Sequence, residues 1–572
     1  MRPRRQFWRA LALAASSLFA PAGALGQVED AGLASEIAAT EALLTPWHGD
    51  DVPGLALSVM VDSEVVFGAG AGQAHLEHAS PMGPDTPVHA ASVSKQFTAF
   101  SIALLAADDL IDLDADIRTY LPELQPGPGP EVVTVRHLLD HMGGYREQWT
   151  LFEMAGWSSS DVMTQAQQWR LLTRQTGRNF APGARVEYSN SGYAMLARIV
   201  EEASGQSFVA FTRTRIFEPL GMSSTHFRVD ISDPVPGRAL SYAPAGDGFV
   251  TQVYNAETTG STGLVTTTAD LLRWASNFET RRVGDTEVFN ILAERATAAN
   301  GQPSVFGRGQ ELRRYHGLET WSHGGRDAGY RAFLLRVPSE GFAVSVLANR
   351  TDVDLAELAF TVLDIFLGAA DGYRIDEPPA WQPASLPELE SYAGHYEFFP
   401  GLIYTVSVSD GALQYAPRGG GQGTALQQVG PATFSADPAQ NVSLRFRTGL
   451  DGMVTGLDQV IGLHGVIPAE RISLAPFDPD AVDLQAYTGI YYSPELETRY
   501  ELAVDDGVLV ARNIRLSDTP LTPYLADTFA GTRTGMLRVR FERGADGLVT
   551  AALVSGPLAE EVRFDRVQMV PG

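Results

Sequence analysis

Ala91-Ser92-Val93-Ser94-Lys95-Gln96-Phe97 places a serine hydroxyl three residues before the single lysine of a 572-residue chain. Of 42 Lys and Arg side chains, all but Lys95 are arginine. The exception has chemical meaning, because a guanidinium keeps its proton whereas an ammonium can lose one once burial and neighbours lower its pKa. Phe97, Phe100, Leu104 and Leu105 follow at helical spacing, which predicts a helix over about 93–107. Ser92 then lies at its N-terminus on the face of Lys95. There the helix dipole favours the negative charge of a reacting alkoxide, and a desolvated lysine can take the hydroxyl proton. Ser supplies 36 of the 572 residues, so the spacing alone carries little, and a helix-capping role would equally explain Ser92.

Two further segments decide the matter. Glu187-Tyr188-Ser189-Asn190-Ser191-Gly192 sets a Tyr and an Asn two apart ahead of a helical pattern. Trp321-Ser322-His323-Gly324-Gly325-Arg326 precedes the strand pattern Ala332–Val337. Strand-like runs at 55–59, 64–67, 332–337 and 342–347 bracket helical stretches near 93–107, 134–141, 192–204 and 268–279. That order predicts an α+β domain, an antiparallel sheet covered by helices. In this order S-x-x-K, Y-x-N and H-G-G resemble the motifs of the penicillin-recognising serine hydrolases: class C β-lactamases, DD-peptidases, D-aminopeptidases and related esterases. Thr134–Gly144, Phe180–Gly183, Phe217–Met222 and Ser261–Leu271 extend the resemblance, which covers roughly residues 40–368.

The resemblance implies a β-lactamase/transpeptidase-like fold with Ser92 as the nucleophile of an acyl-enzyme. Lys95 and Tyr188 would shuttle its proton, Tyr188 through a phenol pKa lowered by the nearby ammonium. Asn190 would bond Lys95 and the substrate amide. His323, Gly324, Gly325 and Arg326 would line the substrate and oxyanion site, with the backbone N–H groups of Ser92 and Arg326 as oxyanion donors. Penicillin-targeting relatives usually carry Lys where this chain has His323, and a mostly neutral His is a poor anchor for a carboxylate. The expected activity is therefore D-aminopeptidase-like amide or peptide hydrolysis, or ester hydrolysis. β-Lactamase or DD-carboxypeptidase activity is the alternative, and a binding or sensor protein on the same fold is the non-enzymatic one.

Downstream, residues 370–385 read as a Pro-rich linker. Tyr392, Gly394, Tyr396, Phe446, Asp451-Gly452 and Arg471 recur 95 residues later as Tyr487, Gly489, Tyr491, Phe541, Asp546-Gly547 and Arg566. A fixed offset marks a duplicated module. Alternating runs parted by Asp-Gly turns predict two small antiparallel β-barrels, at 386–474 and 482–572, after a hydrolase domain at 27–369. This layout is similar to that of D-aminopeptidases, where a barrel loop lines the active site, and the Gly-rich Arg418–Gly423 is a candidate for such a loop.

Residues 1–26 read as a secretory signal: Arg2, Arg4, Arg5 and Arg9, an apolar run, then Ala24-Leu25-Gly26. A periplasmic location without a stable membrane anchor follows, and the absence of Cys excludes disulfide staples. The formal net charge of −26 argues against nucleic acid as a partner. No cofactor is expected. His137 and His141 have a metal-binding spacing, but they fall within a family helix motif and lack a third ligand. A small-molecule or short-peptide substrate is the expected partner, and a homodimer is left open.

Overall fold

A computed structural model describes residues 33–297, 303–370, 373, 382–418, 423–437, 442–449, 451–461 and 465–567. The signal segment 1–26 and most of the linker 370–385 lie outside the described residues.

An eight-stranded antiparallel sheet organises the N-terminal part. Its spatial order is Arg295–Thr297, Pro303–Gly307, Gln310–Tyr315, Leu318–Asp327, Tyr330–Val337, Phe342–Ala348, Leu55–Val61 and Glu64–Ala71. The first hairpin thus joins the last strand, Leu55 opposite Ala348 and Val61 opposite Phe342. Side chains alternate between the faces. Leu55, Leu57, Val59, Leu335 and Val337 pack with the helix Leu355–Leu367. Ala56, Met60, Ala332 and Leu334 face the larger helical core. At the centre of that core runs the helix Ser94–Ala107, buried from Ser94 through Leu105. The helix Asn190–Ser204 packs beside it, capped by the Ser189 hydroxyl and ended by Gly205 at φ +69°.

The strands from Gly394 to Ile472 form a nine-stranded sheet. Its two end strands, Thr424–Ala425 and Gln427–Gly430, are joined through the buried Leu426 alone, so the sheet curls into a barrel-like shape. The eight strands between Gly489 and Val567 close into a barrel. The repeat extends to individual hydrogen bonds. Arg471 donates to the carbonyls of Ser391, Ala393 and Val454, and Arg566 to those of Ala486, Thr488 and Val549, each 95 residues on. Tyr396 and Tyr491 likewise donate to the carbonyls of Tyr392 and Tyr487.

The Gly-rich run proposed as the barrel's link to the active site falls largely outside the described residues, but Arg418 at its head lies over the Tyr524 ring of the closed barrel. The Pro557-Leu558 tip of the closed barrel reaches the hydrolase domain. Pro557 O accepts from the Thr150 hydroxyl at 2.7 Å, and Leu558 O from the Glu147 amide at 2.7 Å. Behind the tip, Leu151, Phe152 and Met154 share one apolar core with Tyr500, Phe529 and Phe564 of the barrel.

Candidate active site

Ser92 sits in the single turn Ala91–Val93 that leads into the helix Ser94–Ala107. One turn on, the fully buried Lys95 Nζ meets three oxygens: Ser92 Oγ at 3.2 Å, Asn190 Oδ1 at 2.6 Å and the Ser261 carbonyl at 2.8 Å. The Ser261 carbonyl is brought in by a tight turn through Gly260 at φ +86°, where a Cβ would strike Tyr193 O at 2.4 Å. The ammonium also lies 4.7 Å from the centre of the Tyr188 ring. Burial lowers the Lys95 pKa from 10.5 to about 7, against the pull of Glu147 and Asp327 in the other direction.

The Tyr188 hydroxyl faces Ser92, and its ring stacks on His141. The expectation of a lowered phenol pKa is overturned. Burial holds it well above 10, with Glu147, Tyr193 and Asp327 acting in the same direction and only Ser92 opposing. The cost of a buried phenolate exceeds whatever the single ammonium offers, so Tyr188 keeps its proton.

The third motif lies on the strand Leu318–Asp327, which runs past the nucleophile turn. A Cβ on Gly325 would meet Ala90 O at 2.3 Å, so only glycine permits this approach. His323 is buried, and desolvation together with Lys95 pushes it down to about 3. It is neutral at pH 7. Its Nδ1 lies 2.6 Å from the Gly324 carbonyl; a carbonyl only accepts, so Nδ1 carries the hydrogen and Nε2 a bare lone pair. Gly324 is half-buried and Arg326 exposed. Next to Arg326, Asp327 holds His89 Nε2 at 2.9 Å and accepts from the Thr262 hydroxyl.

The motifs missed one residue within this cluster. Both Glu147 oxygens accept from Asn190, Oε2 from the backbone N–H and Oε1 from Nδ2, each at 3.0 Å. Its one sequence signal is the run of three polar residues Arg146, Glu147 and Gln148, all of which the fold buries. His137 and His141 serve the backbone: their Nδ1 atoms accept from the Thr134 and Ser189 amides at 3.2 and 3.0 Å.

Residues 38–365 match the family described as Beta-lactamase. The chain belongs to that family. It is 27% identical to a D-aminopeptidase of Gluconobacter oxydans (strain 621H) over 534 residues, 90% of this chain and 96% of the relative. An octameric penicillin-binding protein homologue from Pyrococcus abyssi superposes with a TM-score of 0.52 at 21% identity, covering 85% of this chain and 99% of its own. D-amino acid amidase from Ochrobactrum anthropi SV3, solved with D-phenylalanine, does so at 0.50 and 22%, covering 59% and 99%. The protein is thus a serine hydrolase of the β-lactamase fold, related to D-aminopeptidases.

Proposed function

We propose that the protein is exported to the periplasm and there hydrolyses amide bonds that follow an N-terminal D-amino acid in small amides or short peptides. Ser92 is the nucleophile. The observation that carries this reading is the buried Lys95 Nζ, 3.2 Å from Ser92 Oγ and shifted to about 7, a proton acceptor matched to neutral pH.

Ser92 Oγ attacks the amide carbon while its proton passes to Lys95 Nζ, and the carbonyl π pair moves onto oxygen. The backbone N–H groups of Ser92 and Arg326 receive that oxyanion, a service typically worth about 2.7–4 kcal/mol per donor. As the tetrahedral centre collapses, the C–N bond breaks and the leaving nitrogen takes the Tyr188 hydroxyl proton, which Lys95 restores. Water then repeats the sequence on the acyl-enzyme and frees the acid. A phenol held above 10 suits a donor.

The substrate class rests on His323. A neutral ring with a bare Nε2 offers an acceptor, which suits an amine-bearing substrate better than a carboxylate and weakens the β-lactamase and carboxypeptidase readings. The relative from Gluconobacter oxydans, a D-aminopeptidase, agrees with this.

The purified protein and Ser92→Ala should be assayed on D- and L-amino-acid anilides, short-chain esters, nitrocefin and D-Ala-D-Ala peptides, with mass spectrometry after a fluorophosphonate. Turnover confined to D-anilides and an adduct on Ser92 are expected. Absence of the adduct, or turnover that survives Ser92→Ala, refutes the acyl-enzyme. Preference for nitrocefin or D-Ala-D-Ala peptides refutes the specificity.

A further inference from the structure

Asn190 is the ligand that brings Lys95 Nζ closest, at 2.6 Å through Oδ1. An amide side chain can rotate end for end, and a flipped Asn190 would present a donor to an ammonium. What prevents the flip is Glu147. Its carboxylate takes the Asn190 backbone N–H on one oxygen and Nδ2 on the other, which leaves Oδ1 as the only atom able to face Lys95. Burial raises the Glu147 carboxyl pKa, and the two bonds from Asn190 together with the nearby Lys95 ammonium act against that rise, in favour of the ionised form.

Glu147 is itself fixed at two levels. Gln148 N donates to Ser191 Oγ at 2.9 Å and Ser191 Oγ to Arg146 O at 2.7 Å, which ties the segment to the helix Asn190–Ser204. From the other side the Glu147 amide donates to Leu558 O at 2.7 Å, and Asn179 Nδ2 reaches the same carbonyl at 2.8 Å. Leu558 adopts φ +56°, a conformation uncommon for a branched side chain, so the tip is held by its contacts and not by local preference.

We propose that Glu147 is a positioning residue for the proton acceptor: by orienting Asn190 and facing Lys95 with a negative charge it fixes the place and the charge of Nζ, while the closed barrel anchors Glu147 through the Leu558 carbonyl. The inference rests on the acyl-enzyme reading above. Other groups around Lys95 are Asp327, Tyr188, Tyr193, His141 and His323. Of the charges among them, Glu147 and Asp327 favour the ammonium. Loss of the Glu147 charge therefore makes Lys95 easier to deprotonate.

The rate at which a fluorophosphonate labels Ser92, followed against pH in the full-length protein, tests this without knowledge of the substrate. Glu147→Gln should move the acidic limb down by about 1 pH unit and lower the plateau rate about 10- to 100-fold through misplacement of Nζ. Glu147→Asp, which keeps the charge on a shorter arm, should lower the plateau but leave the limb at the wild-type pH. Leu558→Pro, which cannot adopt φ +56°, should lower the plateau in a protein whose circular dichroism is unchanged. If Glu147→Gln and Glu147→Asp share one limb, or folded Leu558→Pro labels at the wild-type rate, the proposal fails. If the wild type is not labelled at all, the acyl-enzyme reading falls and this one with it.

Discussion

Arg146 is the bolt between the hydrolase domain and the closed barrel, and its removal has a predictable size. The guanidinium donates Nε to Glu560 O at 2.8 Å and Nη2 to Glu561 O at 3.0 Å. Nη1 reaches both oxygens of Glu495 at 2.9 and 3.1 Å. The two side chains are 5% and 7% exposed, so neither charge can turn to solvent. Arg146→Ala would leave the Glu495 carboxylate buried with only Thr176, whose hydroxyl donates at 3.0 Å. Breaking one side of such a pair costs about 3–5 kcal/mol, most of it the uncompensated charge.

That energy is spent on undocking the barrel tip, which hydrogen exchange reads directly because local opening sets the rate. At 1.4 kcal/mol per factor of ten, the Glu147 and Glu560 amides should lose protection by about 140- to 3,700-fold. Both donate across the interface, to Leu558 O and Asn179 Oδ1. Arg146→Met combined with Glu495→Leu should recover most of the loss, since a well-packed apolar pair often equals a buried ion pair. A change of less than about tenfold in Arg146→Ala would refute the reasoning, for it would mean that the buried charge finds water without opening the interface.

Four further outcomes are expected. The kcat/KM profile should fall below about pH 7, where Lys95 becomes protonated, and a limb near the ordinary lysine value would contradict the burial argument. The same shift bears on stability. Between about pH 7 and 10.5 the unfolded chain holds a proton on Lys95 that the folded one does not, so stability rises with pH across this window, and Lys95→Met should flatten that rise in urea titrations. Arg336 is buried over the Phe278 ring at 3.4 Å, with Nε and Nη1 unpartnered and its pKa pushed down to about 9; Arg336→Met should keep or raise the melting temperature, and a drop of several degrees would show that the guanidinium stabilises the sheet. His323→Lys should shift turnover away from amides and alter β-lactam acylation, and an enzyme unchanged in both would discard the specificity argument.

What the sequence made legible was what it repeats or spaces regularly. The 95-residue offset reappears as the same three carbonyls on Arg471 and Arg566, because a duplicated module keeps its hydrogen bonds along with its side chains. The helix at Ser94 was visible through its apolar spacing. Glu147 was not, since its partners Asn190 and Leu558 lie 43 and 411 residues away and the polar run Arg146-Glu147-Gln148 reads equally well as an exposed segment. The barrel tip escaped for a related reason. A Gly-rich run advertises a loop, whereas Pro557-Leu558 earns its place only by what it touches.

The two proton-bearing side chains show where such reading stops. For Lys95 the residue type gives the direction, because burial of a cation can only favour its loss of charge. For Tyr188 proximity and burial oppose each other, and only the surroundings decide. With Glu147 and Asp327 near and the ring enclosed, burial prevails and the phenol stays protonated. The consequence is a division of labour. A lysine near 7 takes the proton and a tyrosine above 10 delivers one, so the two groups need not exchange roles within a turnover. Were Tyr188 the base, the acidic limb would follow a phenol, and Glu147→Gln would lower it by easing deprotonation of Tyr188 as well. Tyr188→Phe separates the cases: with Lys95 as base it should cut kcat by about 10²- to 10⁴-fold while the limb stays near 7, whereas a limb that vanishes with the hydroxyl would make Tyr188 the acceptor.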